Sequence, residues 1–266
     1  MKKIKTALIS VYNKSGIENL ASLLHEKGVE IISTGGTQRH LEGHDIPVTS
    51  VESLTEYPSI LDGRVKTLHP VIFGGILARR EKKHLDELQE YNMSLIDMVV
   101  VDLYPFEDTV RETDDERAII EKIDIGGIAL IRAAAKNYKD LLIIPSRNEY
   151  EDVFQVLKEN DMSTGETYRK QMAEKAFSVS SHYDNAIKSY LGGGKDSSDL
   201  QEMPLRYGEN PHQSGTFYGD FKQIFEKLNG GDLSYNNFVD VDAAWSVIKE
   251  FSDDKPACAV LKHTNT

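Results

Sequence analysis

The sequence predicts an α/β fold assembled from βαβ units, and three features predict it. Short apolar runs at residues 6–11, 29–32, 98–103 and 141–144 suit buried strands and are too short for helices. Segments between them carry apolar residues at helical spacing, first as Ile17, Leu20, Leu23 and Leu24. The first two runs end in small and polar residues, the turn chemistry that joins a strand to a helix.

Composition narrows the class. At 266 residues, 39% hydrophobic and 28% charged, the chain is long enough for one large globular domain or two ordinary ones. A net charge of -12 argues against nucleic acid, whose backbone needs a basic face. An anionic substrate would have to be captured by a locally basic pocket. Cys258 is the only cysteine, so neither an internal disulfide nor a thiolate metal cage is expected. No structural metal site is expected of the eight histidines. No apolar run reaches the length of a membrane span, and residues 1–5 lead straight into the first strand without a signal-peptide core. The expectation is a cytoplasmic protein with no membrane partner.

In chain order, the first strand leads into Ser10-Val11-Tyr12-Asn13-Lys14-Ser15-Gly16 and a helix. The second leads into Ser33-Thr34-Gly35-Gly36-Thr37, where small residues let several backbone N–H groups face one point at a helix start. That stretch lacks the GK[ST] ending of a Walker A loop, and a plain glycine turn is an equal reading. Residues 48–51 read as a shorter third strand.

Residues 62–69 (DGRVKTLH) place Arg64, Lys66 and Thr67 within four positions. Gly63 lets the backbone turn, and Pro70 keeps the segment from running on as a helix. Guanidinium, ammonium and hydroxyl together suit an anion, although a lone basic turn is usually just solvated. Residues 74–78 should pack their backbone close to a neighbour, and 81–91 should form a helix with Leu85 and Leu88 inward.

The run at 98–103 is the most strand-like, and Tyr104 follows it. α/β sheets place chemistry at the carboxyl ends of strands, so Tyr104 is a candidate beside the plain reading of a core tyrosine. Residues 113–116 open a short helix. Residues 123–127 then lead into another at 128–137, with Asp124 at an N-cap position and Lys136 in the last turn, both ordinary places for such residues.

Ser163 and Glu166 have capping-box spacing ahead of a long helix, with Tyr168, Met172, Ala176, Val179, Tyr183, Ile187 and Tyr190 on one face. Residues 191–199 read as a linker, dividing the chain into domains 1–194 and 195–266. Beyond it come polar segments at 205–213 and 233–238, a helix around 243–251 and a strand at 257–261. So few residues make a poor independent core, and the second unit looks incomplete.

Taken together, SVYNKSG, STGGT, DGRVKTLHP, GGILARR, DLYPFE, IDIGG and RAAAKN resemble the N-terminal cyclohydrolase domain of the AICAR transformylase/IMP cyclohydrolase family. LRYGENPHQ, LSYNN and LKHTN resemble the start of its transformylase domain. The resemblance implies a methylglyoxal-synthase-like parallel sheet with helices on both faces, followed by an incomplete α/β transformylase segment. It implies closure of the ring of 5-formamidoimidazole-4-carboxamide ribotide (FAICAR) to IMP and water, without cofactor or metal.

On that resemblance Ser10, Lys14, Ser33, Thr34, Gly35, Gly36, Thr37, Arg64 and Thr67 would hold the phosphate and ribose. Lys66, Tyr104, Asp124 and Lys136 would surround the reacting groups, with backbone N–H groups of Gly126 and Gly127 near the developing oxyanion. Arg206, Tyr207, Lys262 and His263 match transformylase positions. They stand without the rest of that site, so no formyl transfer from 10-formyltetrahydrofolate is expected of this chain alone. The resemblance also implies a homodimer for the full-length family. The chain departs from the family after KTLHP, where Pro70-Val71-Ile72-Phe73-Gly74 lacks a basic residue and a histidine common in relatives.

Two other readings share the fold. A nucleotide-sensing module would need the phosphate loops but not Lys66, Tyr104, Asp124 and Lys136 together. A methylglyoxal synthase would not need the larger pocket suggested by residues 98–137.

Overall fold

The computed structural model of the chain describes residues 1–192, 202–219, 221–251 and 258. The chain forms two compact units, Met1–Lys188 and Ser189–Thr266. The first opens with β1 (Lys2–Lys3), β2 (Thr6–Val11), α1 (Ile17–Glu26), β3 (Glu30–Ser33), α2 (Gly35–Glu42), β4 (Thr49–Ser50) and α3 (Val51–Thr55). It continues through α4 (Pro70–Leu77), α5 (Lys82–Glu90), β5 (Met98–Asp102), α6 (Phe106–Glu112), α7 (Glu116–Ile120) and α8 (Ile125–Lys136). It closes with β6 (Leu142–Ile144), α9 (Tyr150–Glu159), β7 (Ser163–Thr164) and α10 (Glu166–Leu191).

Five strands form one parallel sheet in the order β4-β3-β2-β5-β6. Ala7, Leu8 and Ile9 are all fully buried, as are Met98, Val99 and Val100. Successive strand residues face opposite sides, so both faces of the sheet are covered, as expected for a parallel sheet. α1 packs with α9, and α4 with α8. β2 lies between β3 and β5, and the strand order reverses there. The crevice outside the carboxyl ends of these strands is the usual place for a ligand.

Several expected elements are corrected. Only Thr49–Ser50 extends the sheet at residues 48–51, because the Ser50 hydroxyl accepts from Ser53 N (3.1 Å) and starts α3 at Val51. Pro70 opens a helix, with His69 Nδ1 accepting from Val71 N (3.3 Å) ahead of it. Residues 74–77 therefore pack closely as helix, and a side chain at Gly75 would collide with Ser94 O. On α5 only Leu88 is buried, and Leu85 is exposed. α8 begins at Ile125, three residues earlier than expected, because Asp124 caps it.

No capping box forms at Ser163. That residue pairs with Lys3 in a two-strand antiparallel ladder, and its hydroxyl donates to Asp161 O (3.4 Å). The buried face of α10 holds Met172, Ala176 and Tyr183 as expected, together with Arg169. Arg169 donates to Tyr138 O (2.8 Å), Lys139 O (2.7 Å) and Thr164 O (2.6 Å), which is how a core tolerates its charge.

The second unit has an antiparallel pair, β8 (Glu202–Pro204) and β9 (Thr216–Tyr218), followed by α11 (Phe221–Ile224) and α12 (Tyr235–Ile248). α12 starts earlier than the helix expected around 243–251, because Asn237 Oδ1 accepts from Ser234 N (2.9 Å) and caps it. Phe217 stacks on Phe238 (4.8 Å), with Phe221 and Phe225 at their edges. No residue of α12 is buried. The linker at 193–199, the domain boundary at 194, the strand at 257–261 apart from Cys258, and Lys262 and His263 lie outside the described residues. Among the described residues, no helix is long and apolar enough to cross a membrane.

Candidate active site

The site of the first unit is built where β2, β3 and β5 end at Val11, Ser33 and Asp102. The loop after α3 spans it. Lys66 extends past Gly63, whose φ of +87° leaves no room for a side chain beside the Lys66 stem. Its Nζ lies 2.8 Å from where a Cβ on Gly35 would sit. The next residue, Thr67, has Oγ1 3.3 Å from the corresponding point on Gly126. Two consecutive residues of one loop thus reach the first turns of two helices, α2 and α8.

Lys14 completes the first of these corners. Its Nζ donates to Tyr12 O (2.9 Å), and its Cε lies 3.3 Å from the Cβ position of Gly36. The first N–H groups of a helix have no acceptor within it and carry a partial positive charge. Flanked by Lys14 and Lys66, the start of α2 has the chemistry of a phosphate site.

Three of the expected hydroxyl ligands, Ser33, Thr34 and Thr37, have protein partners. Ser33 Oγ is buried and donates to Ile9 O (2.7 Å). Thr37 Oγ1 donates to Val11 O (3.0 Å) and accepts from Val11 N (3.1 Å), tying α2 to β2. Thr34 Oγ1 donates to Glu52 Oε1 (2.9 Å). These bonds tie the three hydroxyls into the turn, beside the backbone N–H groups of α2 and the two lysines. Ser10 sits in the register of β2 opposite Val101 of β5. Arg64 Nη1 donates to Leu61 O (3.0 Å), and its Nη2 lies 2.7 and 2.6 Å from the carboxylate oxygens of Glu121.

The other corner gathers ionisable groups. Asp124 Oδ1 accepts from Gly127 N (2.7 Å). Burial pushes the Asp124 carboxyl above its ordinary range, with Asp102 adding and bonds from the Gly127, Tyr104 and Gly126 backbone opposing. Asp102 Oδ2 accepts from Asn13 N (2.8 Å), and its carboxyl too is raised by burial, against Arg147 and Lys14. Tyr104 is 43% exposed and meets Tyr12 edge-on (5.3 Å). Burial, then Asp124, Glu121 and Tyr12, push its phenol upward. Lys122 Nζ lies 5.2 Å from the Tyr12 ring centre and 5.6 Å from that of Tyr104.

Lys136 is not brought to this cluster. It ends the helix that Asp124 begins, about 18 Å away at 1.5 Å per residue, and it is exposed. α8 runs back beside β5, so its two ends lie toward opposite ends of the strands.

Sequence reasoning missed Asp102 and Lys122. Asp102 carries a signal in the sequence, a carboxylate closing an apolar strand run. Nothing local distinguishes Lys122 from the other cations. Among the described residues no group of three His, Cys, Asp or Glu side chains could hold a metal ion. In the second unit Arg206 lies over the ring of Tyr207 (5.8 Å), and Gly208, Glu209, His212 and Tyr235 line an open groove beside them.

A parallel α/β domain with this helix-start site is of the MGS-like class, and residues 16–129 match the MGS-like domain family. Residues 134–266 match the family described as AICARFT/IMPCHase bienzyme, and the chain belongs to that family. It is 50% identical over 269 residues to the bifunctional purine biosynthesis protein PurH of Bacteroides thetaiotaomicron, covering 99% of this chain and 53% of that one. It is 48% identical over 273 residues to the protein of the same name from Clostridium acetobutylicum, covering 98% of this chain and 54% of that one. A solved structure described as the crystal structure of ForH aligns with a TM-score of 0.62 at 33% identity, over 70% of this chain and 97% of that one. The chain spans about half the length of the curated relatives it matches.

Proposed function

We propose that the first unit is an IMP cyclohydrolase, closing the ring of FAICAR to IMP and water without a cofactor. The observation that carries this reading is the reach of Lys66 to the start of α2 and of Thr67 to the start of α8. A ligand phosphate held at the first corner would lay its base toward Asp124, Asp102 and Tyr104. Membership of a family whose relatives are named for purine biosynthesis supports a ribonucleotide substrate.

The chemistry fits these groups. The carboxamide nitrogen is a weak nucleophile, and anchoring the phosphate holds it against the formyl carbon. As the carbon–nitrogen bond forms, the nitrogen gives up one proton and the former carbonyl oxygen takes one. In this reading Asp124 accepts from the amide N–H and Lys66 stabilises the oxyanion, since the Gly126 and Gly127 N–H groups already bond the Asp124 carboxylate. Dehydration then removes that oxygen as water, taking the proton of the formamide nitrogen. Tyr104, whose raised pKa keeps it protonated, is suited to donate to the leaving oxygen.

Synthetic FAICAR added to the purified chain, with IMP followed by ultraviolet absorbance, tests the proposal. The expected result is a rate well above the spontaneous one that is lost in Lys66→Ala. IMP binding without acceleration would leave a nucleotide-binding module instead. Transformylation by this chain is not part of the proposal. Formyl transfer from 10-formyltetrahydrofolate to AICAR by the purified chain would show that residues 195–266 do more than proposed.

A further inference from the structure

One buried hydroxyl joins the long helix α10 to the segment that carries Asp124. Tyr183 Oη accepts from Asp124 N (2.9 Å) and donates to Lys122 O (2.7 Å). The side chain is 7% exposed, so neither bond competes freely with water. Its ring meets Phe106 edge-on at 6.1 Å, and the Phe106 N–H donates to Tyr104 O (2.9 Å). A single side chain therefore touches both connections that enter the reacting corner, one bearing Tyr104 and the other Lys122 and Asp124. Burial pushes its phenol up to about 12, which keeps the donor to Lys122 O in place at neutral pH.

We infer that Tyr183 is a positioning residue for ring closure, fixing the backbone at Lys122 and Asp124 so that the Asp124 carboxyl and the first turn of α8 keep their aim. The inference rests on the proposed cyclohydrolase reading. Asp124 Oδ1 holds Gly127 N, so a shift of the Asp124 backbone would move the carboxyl and the helix start together. The same shift would carry Lys122 off the rings of Tyr12 and Tyr104. None of these contacts lies at the α2 corner. Loss of the hydroxyl should therefore affect turnover and not the binding of the phosphate.

Tyr183→Phe keeps the ring and removes both bonds. The expected result is a kcat for FAICAR lowered about 10- to 100-fold, the scale of a small misplacement of reacting groups. KM and the affinity for IMP should stay within about twofold. A kcat within about twofold of wild type, or a raised KM at unchanged kcat, would overturn the inference. Phe106→Leu, which disturbs the packing and spares the hydroxyl, should lose thermal stability without the same fall in kcat.

Amide hydrogen exchange of Asp124 in the wild-type chain reads the clamp with no variant at all. It should be protected, and exchange at the rate of an open loop would overturn the inference. A wild-type chain that neither binds IMP nor converts FAICAR would instead overturn the functional reading, while a protected Asp124 amide would still show the clamp.

Discussion

Arg64 and Glu121 form an ion pair across the mouth of the site, with Nη2 of the arginine 2.7 and 2.6 Å from the two carboxylate oxygens. Both side chains are more than half exposed. An exposed pair of this kind contributes about 0–1 kcal/mol. A nucleotide phosphate that recruits Arg64 must displace Glu121. Glu121→Gln should thus tighten IMP binding by about two- to fivefold, and the gain should shrink as salt screens the pair. Calorimetric titration at two salt concentrations measures it. Weaker binding by the variant would mean that Glu121 orients Arg64 for its ligand instead of competing.

Asp124 serves at once as a cap and as a buried acid. Burial raises its folded pKa above the ordinary 3.8. A carboxyl of that kind stabilises the fold most below its unfolded pKa, and the contribution is lost as pH rises through the folded value. Asparagine caps a helix about as well as aspartate. The stability of wild type relative to Asp124→Asn should accordingly be greatest in acid and fall as pH rises above about 4. Asp124→Ala should cost about 0.5–2 kcal/mol through the lost cap. Thermal melts across pH distinguish the two, and ring closure should fall in both.

Lys66 owes its path to two glycines. At Gly63, φ is +87°, and a methyl group would collide with the Lys66 stem. At Gly35, φ is +57°, and the methyl would meet Lys66 Nζ at 2.8 Å. Gly63→Ala should lose about 1–2 kcal/mol from the left-handed backbone and lose most ring closure, because the lysine must leave. Lys66→Ala should lose the activity with little change in stability, since the side chain adds no core packing. Denaturant melts beside the FAICAR assay would show whether activity and stability separate in this way.

Tyr150 is buried at 8% exposure, and its Oη has no hydrogen-bond partner among the described residues. Burial, with Asp102 adding and Arg147 opposing, pushes its phenol above the ordinary range. A buried hydroxyl left unpaired costs about 1–3 kcal/mol, and replacing it by hydrogen removes that cost. Tyr150→Phe should therefore raise stability by roughly 1 kcal/mol in a denaturant melt. A loss of similar size would reveal that the hydroxyl holds a bound water or ligand in solution.

The strands of the sheet, most of its helices and the two loops that meet at the site are legible in the amino-acid sequence. Apolar period and turn chemistry are carried by neighbouring residues, so β5 at Met98–Asp102 and the glycine turn after β3 were legible without any distant contact. The string of short motifs likewise sufficed for the family. The partners that the polar groups take emerge only from the packed fold. Ser33 and Thr37 look like phosphate ligands in sequence, yet the sheet brings Ile9 O and Val11 O within reach of their hydroxyls. Lys136 looks like a companion of Asp124, yet α8 carries it toward the opposite end of the strands. Asp102, Lys122 and Tyr183 gain their places through partners far away along the chain. A buried polar group takes whichever partner the packed backbone presents, and that choice is made only when the strands and helices come together.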